Sequence, residues 1–132
     1  MKSVRALDNE RRLQILEWLK QPKPGNYPAA LSYLSLIFPE KVASRYVRDL
    51  ERAPVSEFKS KDIFRASGLP LLGLGNHFVE KDRRKILAGE AISPILLVRD
   101  PLTHRVIVAD GYHRLCSVYG FDEEAPIPCK IV

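Results

Sequence analysis

Asp110-Gly111-Tyr112-His113-Arg114 is the segment of this 132-residue chain whose residue types and spacing can do chemistry. Ahead of it, Val106–Ala109 is a short apolar run of strand character. Behind it, Tyr112, Leu115, Cys116 and Tyr119 recur at i, i+3, i+4 and i+7, which predicts a helix over Tyr112–Tyr119 stopped by Gly120. The start of a helix presents unpaired backbone N–H groups and the positive end of the macrodipole. Gly111 allows a sharp turn and a close approach to the backbone. An arginine in the first helical turn opposes the dipole, so Arg114 is badly placed for helix stability and well placed if an anion sits there. The same residues have a plainer reading. Asp-Gly is a common turn, His113 is then a surface residue, and Arg114 pairs with Asp110 or Glu123. Asp110 could bind Mg²⁺ beside a phosphate, but capping the helix is the favoured role.

Other residues add less. Lys81-Asp82-Arg83-Arg84-Lys85 reads as a solvated helix face. His77, His104 and His113 lack metal-ligand spacing, and Cys116 with Cys129 is too sparse for zinc or a disulfide framework, so no metal site is expected. Gly73-Leu74-Gly75 is neither a dinucleotide fingerprint nor a P-loop. No catalytic residue can be nominated.

The elements that must position the segment follow from periodicity and breakers. Val4, Leu7, Leu13, Ile15, Leu16 and Leu19 form an apolar stripe that predicts a helix over 4–20, ended by the prolines and glycine of 21–26. Helices follow over Ala29–Phe38 and Glu40–Arg52, divided by Pro39. A short strand is expected at Val55–Phe58, then a helix Lys61–Ser67 capped by Ser60 and ended by Gly68. Asn76 is a good cap for a helix His77–Ala88. Pro94–Val98 and Val106–Ala109 make a hairpin around the turn at 100–104, and Ile127–Val132 is a last strand. The fold class is therefore α/β (α+β): a small mixed sheet with packed helices, residues 54–132, preceded by an N-terminal helical extension, residues 1–53.

Composition is ordinary, with 45% hydrophobic and 28% charged residues, so the chain can build a core. No apolar run reaches the roughly 18 residues of a membrane span. Met1–Arg12 has no apolar signal region, so a cytoplasmic protein without a membrane partner is expected. The net charge of +5 leans toward an anionic partner, nucleotide or nucleic acid. Basic residues are not interleaved with aromatic ones, which argues against single-strand binding.

The stretch Ser-Pro-Ile-Leu-Leu-Val, then Val-Ile-Val-Ala-Asp-Gly-Tyr-His-Arg-Leu, then Ile-Pro-Cys-Lys-Ile-Val, resembles the ParB/sulfiredoxin superfamily in motif order and spacing. The resemblance covers about 54–132 and implies a phosphate or nucleotide site at this loop; in the family's layout the helix His77–Ala88 lies near the ligand cleft, which implies Lys81 or Lys85 as aids to phosphate binding. Gly111 and Arg114 match the family's G-x-x-R box, with the arginine facing phosphates, and His113 matches the histidine of the sulfiredoxin version. The sulfiredoxin's catalytic cysteine position holds Tyr112, so that chemistry is not expected, and Cys116 is no substitute. The sequence stops at Val132, so the helix-turn-helix domain of partitioning ParB proteins is not expected either. Residues 5–19 resemble the opening helix of ArsR-type repressors, but nothing in 22–53 supplies a wing. They are read as an accessory helix that packs on the domain or forms a homodimer.

Three functions remain open on the sequence. The first is a nucleotide- or phosphate-binding domain, extending to NTP hydrolysis or phosphoryl transfer with a nucleoside triphosphate and Mg²⁺ as cofactors. Its ligand-binding set is Lys81, Lys85, Asp110, Gly111, Tyr112, His113 and Arg114. The second is a ParB-like nuclease or nucleic-acid-binding protein. The third is a non-catalytic interaction or regulatory module.

Overall fold

A computed structural model describes residues 16–73 and 75–132. Among them are five helices and a four-stranded mixed sheet, an α+β arrangement. In chain order these are α1 (Asn26–Ile37), α2 (Glu40–Arg52), β1 (Ser56–Lys59), α3 (Ser60–Ser67), α4 (His77–Leu87), β2 (Ile95–Asp100), β3 (Arg105–Asp110), α5 (Tyr112–Phe121) and β4 (Pro126–Ile131).

The sheet order is β1-β4-β2-β3. Strand β2 pairs antiparallel with β3 and parallel with β4, while β1 pairs antiparallel with β4. Strand β2 is central, and Ile95, Leu96, Leu97 and Val98 are all buried. Its unbroken apolar run is what a strand covered on both faces requires. Ile95 and Leu97 join Ile63, Ile86, Leu115, Val118 and Ile127 on the face covered by α3, α4 and α5. Leu96 and Val98 join Ala30, Leu34, Ala43, Val47 and Leu50 on the face covered by α1 and α2. Helix α2 buries Ala43, Val47 and Leu50, at i, i+4 and i+7, and carries Glu40 in its first turn and Arg52 in its last, both favourable to its dipole.

The β2–β3 hairpin turns where the acidic and hydroxyl residues of 100–104 predict. The Asp100 carboxylate accepts from Leu102 N (3.1 Å) and Thr103 Oγ1 (2.9 Å). Between Leu96 and Leu97 the β2–β3 register shifts, so that Asp110 sits opposite Leu96 at the end of the ladder.

Three local expectations are corrected. The helix expected over 4–20 lies outside the described residues up to 15, and its last part, 16–20, is not helical. Trp18 forms a parallel bridge with Ile92, with Leu19 N donating to Ile92 O and Ile92 N to Glu17 O, each at 2.9 Å. Over 16–20, long-range backbone pairing, with Leu16 and Trp18 packed on the core, overrides the helical pattern. Gly120 does not stop its helix. α5 continues to Phe121 and ends at Asp122, whose carboxylate accepts from Glu124 N at 2.9 Å. Ser60 is not a cap but the first residue of α3, tied by its backbone N–H to Ala125 O (2.9 Å), and its hydroxyl is buried without a partner among the described residues.

Candidate functional site

The strand–turn–helix at 105–121 forms as its residues dictate. Gly111 stands at φ 108°, in the left-handed region, as the residue before α5. A Cβ there would lie 2.4 Å from Ile95 Cγ2 and 2.9 Å from Arg114 Nη2, so both backbone conformation and space demand glycine. No side chain caps α5. The first N–H of the helix bonded back along it is that of Leu115, to Gly111 O at 2.9 Å, which leaves the preceding backbone donors for another acceptor.

Helix α4 supplies the facing wall. Asn76 caps it as expected, Oδ1 accepting from Phe78 N (3.0 Å) and Val79 N (3.2 Å). Ser117 Oγ in α5 donates to Val79 O in α4 at 2.8 Å and fixes the two helices side by side. Between them lies a cleft of about 160 Å³. Asp110, Gly111, Tyr112, His113 and Arg114 line it from the turn, and Lys81 and Lys85 from α4. The structure thus brings all seven sequence-nominated residues together.

It adds two that the sequence reading did not nominate, Phe78 and Asp82. The signal for them was the spacing. Phe78, Lys81, Asp82 and Lys85 fall at i, i+3, i+4 and i+7, one helical stripe. Aromatic rings rim the cleft. The Phe78 ring lies 5.0 Å from that of His113, and His113 stacks on Tyr112 at 5.7 Å. The Tyr112 hydroxyl donates to Pro70 O, and burial pushes its pKa up.

The electrostatics separate the basic groups into two kinds. Arg114 Nη2 donates to Asp110 Oδ2 at 2.9 Å, and both side chains are 17% exposed. Asp110 is therefore an ion-pair partner and not the helix cap expected of it. The alternative partner, Glu123, instead accepts from the Tyr119 hydroxyl at 3.2 Å. Arg114 Nε is buried with no acceptor among the described residues, which leaves its desolvation uncompensated there. Lys81 and Lys85 make no ion pair among the described residues, so their charge is available to a ligand.

No cluster of three His, Cys, Asp or Glu able to hold a metal occurs among the described residues. A divalent ion in this cleft would rest mainly on a ligand's phosphates, with Asp82 and Asp110 the carboxylates at hand. Cys116 and Cys129 are buried, and burial raises both thiols, Cys129 to about 11, which makes them poor nucleophiles. No helix among the described residues is long and apolar enough to cross a membrane. Comparison with protein-family models, with curated proteins and with solved structures returns no match.

Proposed function

We propose that the cleft between α4 and α5 binds a phosphate-bearing ligand, with a nucleotide as the first candidate. One observation carries this reading. Lys81 and Lys85, which make no ion pair among the described residues, face a glycine-led helix start whose first backbone donors have no helical partner. Anions bind such helix starts through N–H groups and the dipole together. At about 160 Å³ the cleft is smaller than the roughly 300–1,000 Å³ of a site that encloses a whole small molecule. It suits the phosphate end of a ligand whose remainder lies at the rim.

The motif order that resembles the ParB/sulfiredoxin superfamily supports the same reading, since its Gly111, His113 and Arg114 all line the cleft. In this reading Arg114 holds the turn together through Asp110 and adds its positive charge to the phosphate site. Hydrolysis or phosphoryl transfer with Mg²⁺ is the activity to which the reading extends. Sulfiredoxin chemistry is not part of it, because Tyr112 stands at the cysteine position.

Thermal stability against phosphate, pyrophosphate and nucleoside triphosphates, with and without Mg²⁺, tests the proposal. A ligand at 100 times its Kd stabilises the fold by about 2.7 kcal/mol, several degrees in Tm. The shift is expected to vanish in a Lys81→Ala/Lys85→Ala variant that keeps its own Tm, because both side chains project from the surface of α4. No shift with any of these ligands sinks the reading. A response only to long nucleic acid, falling steeply with salt, replaces it with a nucleic-acid surface.

A further inference from the structure

We infer that the outer surface of the α1–α2 layer docks an amphipathic helix of a partner protein, one that carries a row of carboxylates beside an apolar stripe. This layer covers the sheet face opposite to α3, α4 and α5, so the inference stands apart from the phosphate reading of the cleft.

The basic half of the surface belongs to α2. Lys41, Arg45, Arg48 and Arg52 recur at i, i+4, i+7 and i+11, and all four are exposed. At about 100° per residue they fall within roughly 60° of one another, on the side of the helix away from the buried Ala43, Val47 and Leu50. The acids Asp49 and Glu51 lie off this row, roughly 70–90° to either side. None of the four cations makes an ion pair among the described residues. A solvated helix face normally mixes both signs, and like charges at i, i+3 and i, i+4 oppose helix formation. A row of one sign, about 16 Å long, weakens α2 until acids meet it.

The apolar half belongs to α1, which has no charged residue in its 12 positions. Tyr33, Leu36 and Ile37 share its outer face at i, i+3 and i+4 and are 44%, 86% and 44% exposed. They are three of the eight exposed large apolar side chains among the described residues, gathered in one patch. The two halves are continuous. Phe38 follows Ile37, its ring lies 5.2 Å from that of Tyr46, and Arg45 Cζ lies 6.0 Å from the centre of the Tyr46 ring.

The combination selects the partner. A nucleic-acid backbone would match the cations but leave Leu36 and Ile37 in water. A fluid layer of anionic lipid headgroups would be indifferent to the helical register of the row. Acids repeating at the same helical period on a second helix match that register, and an apolar stripe beside them covers the α1 patch. Three of the four cations are arginines, whose planar fork suits carboxylates. Tyrosine and arginine are enriched at protein–protein interfaces and charge is depleted at their centres, as on this surface.

Fluorescence anisotropy of labelled synthetic helical peptides with the full chain tests this. The first peptide, about 18 residues and so longer than the row, carries leucines at i, i+3, i+4 and i+7 and glutamates along the adjoining face. A second replaces every glutamate by lysine, and a third replaces every leucine by glutamine. Phosphatidylserine vesicles and a DNA duplex are measured beside them. The native protein should bind the first peptide and neither of the others. Leu36→Gln/Ile37→Gln and Arg45→Glu/Arg48→Glu should each weaken it by roughly tenfold or more and keep the native Tm, because the replaced side chains are exposed. The Arg45→Glu/Arg48→Glu protein should in turn bind the lysine peptide, a gain that damage to the fold cannot produce. Equal binding of the glutamate and lysine peptides, indifference to either double variant, or no binding of any peptide overturns the inference. Vesicles or duplex bound more tightly than the glutamate peptide overturn it too, and assign the surface to lipid or nucleic acid. Tripolyphosphate binding at the cleft should be untouched by these variants, so the two readings fail separately.

Discussion

Arg114 and Asp110 close a strap over Gly111. Nη2 and Oδ2 meet at 2.9 Å across a single helical turn, joining the last residue of β3 to the first turn of α5. The pair is largely withdrawn from water, so its two halves depend on each other. Removing one partner leaves a charge desolvated and unmatched, which costs more than the pair contributes. Arg114→Met is expected to destabilise the fold by about 2–4 kcal/mol. Asp110→Asn/Arg114→Met should cost less than the sum of the two single changes. Urea unfolding of the four proteins gives the coupling, and a value below about 0.5 kcal/mol would show the two residues to be independent. Loss of ligand binding in an Arg114 variant accordingly says little unless its stability is measured beside it.

Gly111→Ala meets two penalties at once. The φ of 108° strains any side-chain-bearing residue, and the new Cβ lies 2.4 Å from Ile95 Cγ2 in the core. Strain of about 1–3 kcal/mol and overpacking of a similar size predict a loss of about 2–5 kcal/mol. Gly89 is the control. It has φ 78°, but nothing lies within 4 Å of its Cβ position, so Gly89→Ala should cost about 1 kcal/mol. Equal losses at the two positions would contradict the close approach of Ile95.

How far the sequence could be read follows from which forces are local. The helix starts and ends set by Asn76, Gly68 and Pro39 were legible because a cap, a left-handed residue and a missing donor act on their own neighbours. The seven-residue cluster was legible for a related reason. The turn carried five of its members, while Lys81 and Lys85 were nominated only through the layout of the resembled family. What lay beyond reach depended on partners distant in sequence. Trp18 is extended because Ile92 pairs with that segment, 74 residues away, and no local pattern announces it. The Asp110–Arg114 pair was local and among the alternatives the residues offered, but choosing it over a cap needed the turn geometry. Phe78 looked like an ordinary apolar helix residue until the packing of α4 on α5 put it at a rim.

Lys130 ties the two ends of the sheet's α1–α2 layer. It is 3% exposed, its Nζ donates to Glu51 O at 3.0 Å in the last turn of α2, and it lies 5.6 Å from the Tyr27 ring centre. A cation at a helix C-terminus meets the negative end of the dipole, and its hydrogen bond to the carbonyl is charge-assisted. Lys130→Met keeps the buried stem and removes both interactions. A loss of about 1–3 kcal/mol is expected in denaturant unfolding. Hydrogen exchange should rise in the last turn of α2 and not in α5. Uniform exchange across both helices would count against a local strap.

The fold should weaken in alkali, and Cys129 should account for a measurable part of it. Burial holds its thiol protonated to about 11, against an ordinary 9.0, and the side chain lies in the core on β4. Between those values the unfolded chain has lost this proton and the folded chain keeps it. The unfolded state then binds fewer protons, so stability falls as pH rises through the window. A shift of this size is worth about 2–3 kcal/mol, complete only above the folded value. Tyr112 and Cys116 are raised by burial, Tyr119 by its hydrogen bond to Glu123, and Lys61 by its bond to Glu124, so all push in the same direction. Cys129→Val removes one contributor and fills the same apolar site. Urea unfolding of both proteins from pH 8 to 10.5 should give a shallower decline for the variant, with the two curves diverging only above about pH 9. Parallel curves across that range would mean that the Cys129 thiol ionises as readily folded as unfolded.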